Sequence, residues 1–244
     1  MPPPATSDPL AALVARLPGG DRRALARLLT LAENPDHRTA LAGLLTDPPA
    51  RRAPVIGLTG PAGVGKSSLL GALVSHLLAQ GRRIGVLACD PESPRTGGAL
   101  LGDRCRIVGP DAAPNLFLRS LAAASGGQAL APHLDLQLEL MRRFPFDLVF
   151  LETVGAGQGD VAVRRLVDRL TLVLQPQTGD SLQWEKAGLL ELANLVILNK
   201  CDLPGADHVA ADLRESLAVP LHSVSVLRGE GIAELADAMA GPLK

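Results

Sequence analysis

The sequence predicts an α/β protein: a mainly parallel sheet with helices on both faces, preceded by a small helical segment. Three observations carry that prediction. Seven apolar runs rich in Val, Ile and Leu are separated mostly by stretches of helical period. The runs are continuous rather than alternately apolar and polar, which is the pattern of strands buried on both faces. A glycine-rich turn, TGPAGVGKSS, joins the first run to the first long helix, and 47% hydrophobic residues in a chain of 244 suffice for one sizeable domain and an appendage.

The composition of residues 1–7, rich in proline, predicts a disordered tail. Asp8 is placed to cap a first helix with Pro9 at its first position and a glycine pair after its end. A second helix is expected over 21–33, where Ala24, Leu25, Leu28, Leu29 and Ala32 share one face, and a third near 37–45. TDPPARRAP breaks the pattern, so the helical segment spans 8–47 and the main domain 54–244. In that domain strands are expected at 55–59, 84–89, 115–120, 147–153, 170–176, 195–200 and 222–227. Helices are expected near 66–80, 131–143, 159–168, 182–192, 207–217 and 231–240.

Net charge is −1, from 24 basic and 25 acidic residues well mixed, so the chain as a whole has no field favouring nucleic acid or an anionic membrane. No apolar stretch reaches the roughly 20 residues that cross a bilayer, and the N-terminus lacks the order of a signal peptide, which together predict a cytoplasmic protein. Cys89, Cys105 and Cys201 are too far apart for a CxxC pair and are expected to be reduced packing residues. The basic residues are 20 Arg and only 4 Lys. Lysine in such a chain marks places where a compact ammonium is wanted, and Lys66, Lys186 and Lys200 all fall in motifs.

The first motif, Gly60, Pro61, Ala62, Gly63, Val64, Gly65, Lys66, Ser67, Ser68, fits GxxxxGK[ST] between a strand and a helix, which narrows the fold class to a P-loop NTPase. Its glycines let backbone amides converge on a phosphate, Lys66 reaches the β- and γ-phosphates, and Ser67 offers a hydroxyl to Mg²⁺. The second, Asn199, Lys200, Cys201, Asp202, ends the sixth strand. A carboxylate there accepts from both N1–H and the 2-amino group of guanine, whereas adenine leaves it unpaired, so GTP is expected over ATP. Asn199 contacts the base or pins the loop, the Lys200 stem lies along the ring, and Ser225, Val226 and Leu227 offer backbone donors to guanine O6. Glu152 closes the fourth strand where such proteins hold Mg²⁺ directly or through water, and Gly155 is free to approach a γ-phosphate. Asp90 and Asp103 are the further carboxylates expected to hold the metal and position a water, the latter in a loop suited to γ-phosphate sensing.

Together GPAGVGKSS, DPESPRTGGALLGD, ETVGAGQGD, GDSLQWEKAG and NKCD resemble the MeaB/ArgK family of P-loop GTPases, whose eukaryotic relative is the methylmalonic aciduria type A protein. The resemblance implies a GTPase, binding GTP, GDP and Mg²⁺, that acts as a chaperone for an adenosylcobalamin-dependent mutase, typically methylmalonyl-CoA mutase. It implies that Asp90, Asp103 and Glu152 are the Mg²⁺ and hydrolysis residues. It also makes the stretch from Gly179 to Lys186, which contains Trp184, a further switch in which Lys186 contacts the nucleotide or relays its state. Three departures stand out: a shortened RSLAAASGGQALA loop, Glu92 in place of the usual Ser, and an end at GPLK without the helical arm by which the family dimerises. A homodimer is therefore not expected by that route. The alternatives are a nickel-insertion GTPase, which needs a Cys/His site that the five scattered His do not suggest, a partitioning ATPase, which needs an early P-loop lysine, a small-molecule or protein kinase, and a binding module without turnover.

Overall fold

The computed structural model describes residues 8–90, 114–122, 131, 133–153, 159–178 and 188–241. Three helices come first: α1 (Pro9–Val14), α2 (Arg22–Glu33) and α3 (Pro35–Leu44). Asp21 starts α2 by accepting from the amides of Arg23 and Ala24 at 3.0 Å, and the five apolar residues of its expected face are all buried. Asn34 ends α2 and caps α3, with Pro35 at the first helical position, so α3 begins two residues earlier than expected.

The remainder builds one sheet from β1 (Val55–Thr59), β2 (Ile84–Asp90), β3 (Leu116–Ala122), β4 (Leu148–Glu152), β5 (Arg169–Leu174), β6 (Leu195–Leu198) and β7 (Leu221–Ser223). Every pair is parallel, in the order β3-β2-β4-β1-β5-β6-β7. The helices between are α4 (Lys66–Ala79), α5 (Leu134–Arg143), α6 (Gly159–Leu166), α7 (Ala206–Ser216) and α8 (Ile232–Ala240), with a further helical segment at 188–192. Two expectations are corrected here. The seventh strand ends at Ser223 rather than 227, because Ser225 pairs with Glu230 in a closed turn instead of continuing the ladder. The helix expected from 131 begins at Leu134, since His133 sits at φ 60, outside helical geometry.

One layer of core packs α1, α2, α3 and α5 against Phe117, Phe146 and Leu151, so the helical preface shares its interior with the sheet. The opposite layer packs Leu69, Leu73 and Leu77 of α4 with Leu235 and Met239 of α8 over Ile56, Val86 and Phe150. Beneath β1, the buried guanidinium of Arg142 donates to the Ala53 and Leu166 carbonyls and pairs with Asp168, which also accepts the Val55 amide. Because all the strands are parallel, their carboxyl ends share one edge, where α/β sheets bind ligands. There Leu58 and Ala88 lie level with Glu152. No helix among the described residues is long and apolar enough to cross a membrane.

Candidate functional site

The chain leaves β1 at Thr59 and turns back over the sheet edge. Gly60, at φ 146, lies so close to β5 that a Cβ there would stand 2.2 Å from the Val173 carbonyl oxygen. At the loop's far end Gly65, at φ 91, starts α4 with no side-chain cap. The first amides of α4 therefore have no competing partner from a capping side chain, which is the electrostatic setting of an anion site. Lys66 is buried, and its ammonium arches over the loop to donate to the carbonyls of Gly60 at 2.9 Å and Pro61 at 3.1 Å.

Glu152 is no solvated strand end. It is buried, and its Oε1 accepts the Ser67 hydroxyl at 2.6 Å. The two oxygens meet because β4 runs beside β1 with Glu152 level with Leu58, bringing the end of one strand under the start of the helix that follows the other. Thr153 ties the same strands together, donating to the Leu58 carbonyl and contacting the Thr59 hydroxyl. Asp90 closes β2 two residues beyond Ala88, the partner of Glu152, so its backbone lies at the same edge. Asp103, Gly155 and Lys186 lie outside the described residues.

The residues after β6 adjoin the loop directly. Asn199 is buried and donates its amide to the Val64 carbonyl at 2.8 Å, so it pins the phosphate loop. Lys200, at φ 59, donates to the Gly63 carbonyl at 2.8 Å and to Gln175 Oε1 at 2.5 Å. Asp202 Oδ1 accepts the hydroxyl of fully buried Ser225 at 2.5 Å, while Ser225 Oγ accepts the Arg228 amide at 3.2 Å. That hydroxyl, helped by the backbone amide of Asp202 and by Arg228 and Lys200, holds the Asp202 carboxyl below the usual carboxylate range despite some burial. Burial, with Glu230 and Asp202 nearby, pushes the Cys201 thiol up.

Between these groups lies a cavity of about 390 Å³, walled by Gly65, Ser68, Asn199, Lys200, Asp202 and Leu203 and closed on one side by Val226 and Leu227. The structure thus brings together the glycine loop, Lys66, Ser67, Glu152, Asn199, Lys200, Asp202 and the turn at 225–227. Two contributors escaped the sequence reading. Gln175 receives the Lys200 ammonium, and no local motif marks it. Ser225 contributes its hydroxyl to Asp202, whereas its amide, expected to face guanine O6, donates to the Glu230 carbonyl at 3.0 Å, a pairing made across the closed turn.

Residues 25–241 match the family described as methylmalonyl Co-A mutase-associated GTPase MeaB. A Pyrococcus abyssi protein that carries a GTPase name is 40% identical over 211 residues; the match covers 86% of this chain and 64% of that one, so the chain spans less than two thirds of the relative's length. A fused isobutyryl-CoA mutase of Geobacillus kaustophilus is 37% identical over 202 residues, covering 79% of this chain and 18% of that protein. Among solved structures, a LAO/AO transport system kinase superposes with a TM-score of 0.70 at 28% identity, covering 94% of this chain and 73% of that one.

Proposed function

Because the chain belongs to the MeaB family of mutase-associated GTPases, we propose that it binds GTP and hydrolyses it slowly as the nucleotide-driven chaperone of an adenosylcobalamin-dependent acyl-CoA mutase in the cytoplasm. The observation that carries the nucleotide reading is Asp202. Its carboxylate, whose ionised form the Ser225 hydroxyl favours, borders a cavity that opens beside Gly65 at the far end of the phosphate loop. A carboxylate so held accepts two donors from guanine and finds none on adenine N1, so the wrong base leaves a charge unpaired. Asn199 and Lys200 reach the loop carbonyls of Val64 and Gly63, which fixes the base reader relative to the phosphate cradle.

The uncapped start of α4 and the Lys66 ammonium supply positive potential where the phosphates lie. The Ser67 hydroxyl and Glu152 carboxylate, 2.6 Å apart, are hard oxygen donors of the kind Mg²⁺ selects, and they fit that ion. Asp90 and Asp103 are the carboxylates we assign beside them, and Gly155 the backbone that approaches the γ-phosphate. Held there by Ser67 and Glu152, Mg²⁺ would supply positive charge to offset that of the phosphates. Lys186 is assigned to the further switch between Gly179 and itself.

The mutase partner is supported by the family description and by relatives in which a similar segment is part of one chain with an isobutyryl-CoA mutase. A client is switched by the nucleotide only through different affinities for the GTP and GDP states. Titration with fluorescent GTP and ATP analogues tests the base assignment, and equal affinities would sink it. Co-elution with a purified cobalamin-dependent mutase in GTP-analogue but not GDP buffer tests the partner; elution as separate species in both buffers refutes it.

A further inference from the structure

We propose that the end of the sheet opposite the nucleotide cavity is a docking surface for an acidic protein segment. Arginine pairs stand at 51–52, 82–83, 142–143 and 164–165, each ahead of a strand: β1, β2, β4 and β5 respectively. Those four strands are neighbours in the order β2-β4-β1-β5 and are parallel, so the pairs gather along one edge. It is the edge from which the strands depart, whereas Gly60, Glu152 and Asn199 lie where they end.

One pair is used internally. Arg142 is buried against Asp168, and Arg143 donates to Glu139 and to the carbonyls of Leu45 and Asp47. Of the other six arginines, Arg51, Arg52, Arg82, Arg83 and Arg165 are exposed and Arg164 is half-buried. The acids among them are shared. Asp147 accepts Arg51 at 2.8 Å and the Arg83 amide at 2.8 Å, and Asp168 serves Arg142, the Val55 amide and, at 3.7 Å, Arg52. These two carboxylates position the guanidinium groups more than they neutralise them. Helix ends explain only part of the pattern. A cation in the last turn satisfies the helix dipole, as Arg164 and Arg165 do for α6. Arg82 and Arg83, however, lie past Gly81 beyond the end of α4, and Arg51 and Arg52 follow a loop.

The chemistry selects carboxylates as the partner. Guanidinium forks pair bidentately with them, and the interleaved Asp147 and Asp168 oppose a continuous phosphate backbone. Among the described residues no aromatic side chain is strongly exposed, so this surface offers no platform for stacking bases. Among the described residues the exposed large hydrophobic is Leu227, at the other edge, which leaves this surface nothing to insert into a membrane.

The test uses the full chain and fluorescent poly-L-glutamate, read by anisotropy at salt from about 50 to about 200 mM. The triple variant Arg52→Gln, Arg82→Gln, Arg165→Gln is compared with a charge-matched control, Arg23→Gln, Arg27→Gln, Arg214→Gln, whose arginines are exposed elsewhere. The first triple is expected to weaken binding by about tenfold and the control by less than about twofold, with melting temperature and GTP-analogue affinity unchanged in both. Should the triple fold poorly, Arg82→Glu alone, past a helix end, carries the same expectation. Equal losses in both triples, no binding by the unaltered chain at the lowest salt, or tighter binding of duplex DNA or phosphatidylserine vesicles than of polyglutamate overturns the proposal.

Discussion

Replacing the three positive-φ glycines of the phosphate loop by alanine, one at a time, separates backbone strain from collision. Gly63 lies at φ 79 with nothing within 4 Å of an added methyl, so Gly63→Ala meets only the left-handed penalty, about 1 kcal/mol. Gly65, at φ 91, meets the same penalty and adds a methyl 2.7 Å from Asn199 Nδ2. That amide is buried and bonded to the Val64 carbonyl, so moving it costs about 1 kcal/mol more. At Gly60 the methyl would stand 2.2 Å from the Val173 carbonyl oxygen, a backbone atom of β5 that cannot swing aside. Overpacking on top of strain there comes to about 3–5 kcal/mol. For a chain of this size each kcal/mol lowers the melting temperature by about 2–4 °C. Thermal unfolding followed by far-ultraviolet circular dichroism without nucleotide is therefore expected to show falls of about 3 °C for Gly63→Ala, 6 °C for Gly65→Ala and 10 °C or more for Gly60→Ala. Nucleotide-free conditions matter, since a methyl at any of the three can also obstruct a phosphate. A Gly63 variant as unstable as the Gly60 variant would refute the loop geometry.

Because the folded Asp202 pKa is depressed, its ionised form contributes above the ordinary carboxylate pKa and is lost only as pH falls through the lowered value. Preference for guanine over adenine analogues should thus stay flat from neutral pH down into the usual carboxylate range; Ser225→Ala should move its loss to higher pH, and an unmoved profile would show that the hydroxyl does not set the charge. Glu152→Gln should raise the Mg²⁺ concentration for half-maximal GTP turnover by about 10–100-fold, measured by phosphate release; an unchanged Mg²⁺ dependence removes Glu152 from the metal site. The Cys201 thiol, raised by burial and by Glu230 and Asp202, should alkylate with iodoacetamide more slowly than a small-molecule thiol at mildly alkaline pH, followed by peptide mass spectrometry. Labelling as fast as the free thiol would place it in open solvent.

What the sequence made legible was what repeats or what obeys fixed spacing. Strands β1, β2, β4, β5 and β6 are apolar on both faces and stand out wherever helices flank them. Lys66 and Ser67 follow from a motif whose spacing the strand-loop-helix geometry imposes. Asn34 and Pro35 have the residue types of a cap and a first helical position, and the third helix is expected late only because its apolar face starts farther on. HSVSVL looks like a strand throughout because buried Val224 keeps the alternation going, while the turn that stops it depends on Ser225 meeting Glu230. Such pairing is non-local, and composition cannot reveal it. The same holds for the contact between Ser67 and Glu152, 85 positions apart, which exists only through the register of β1 with β4.

The contacts that tie the site together suggest how its parts act. Asn199 and Lys200, which border the base cavity, spend their side chains on the carbonyls of Val64 and Gly63, which belong to the phosphate loop. A change at either residue therefore displaces the loop as well as the base. Mutations in the two motifs should then combine non-additively, as neighbours in one hydrogen-bonded network do. Gly65→Ala and Asn199→Ala make the sharpest pair. Once the Asn199 amide is gone, the methyl at Gly65 meets no obstacle, so the double variant should be less unstable than the sum of the singles by about 1 kcal/mol. Strict additivity would mean that base reader and phosphate cradle are independent, contrary to the bond that joins them.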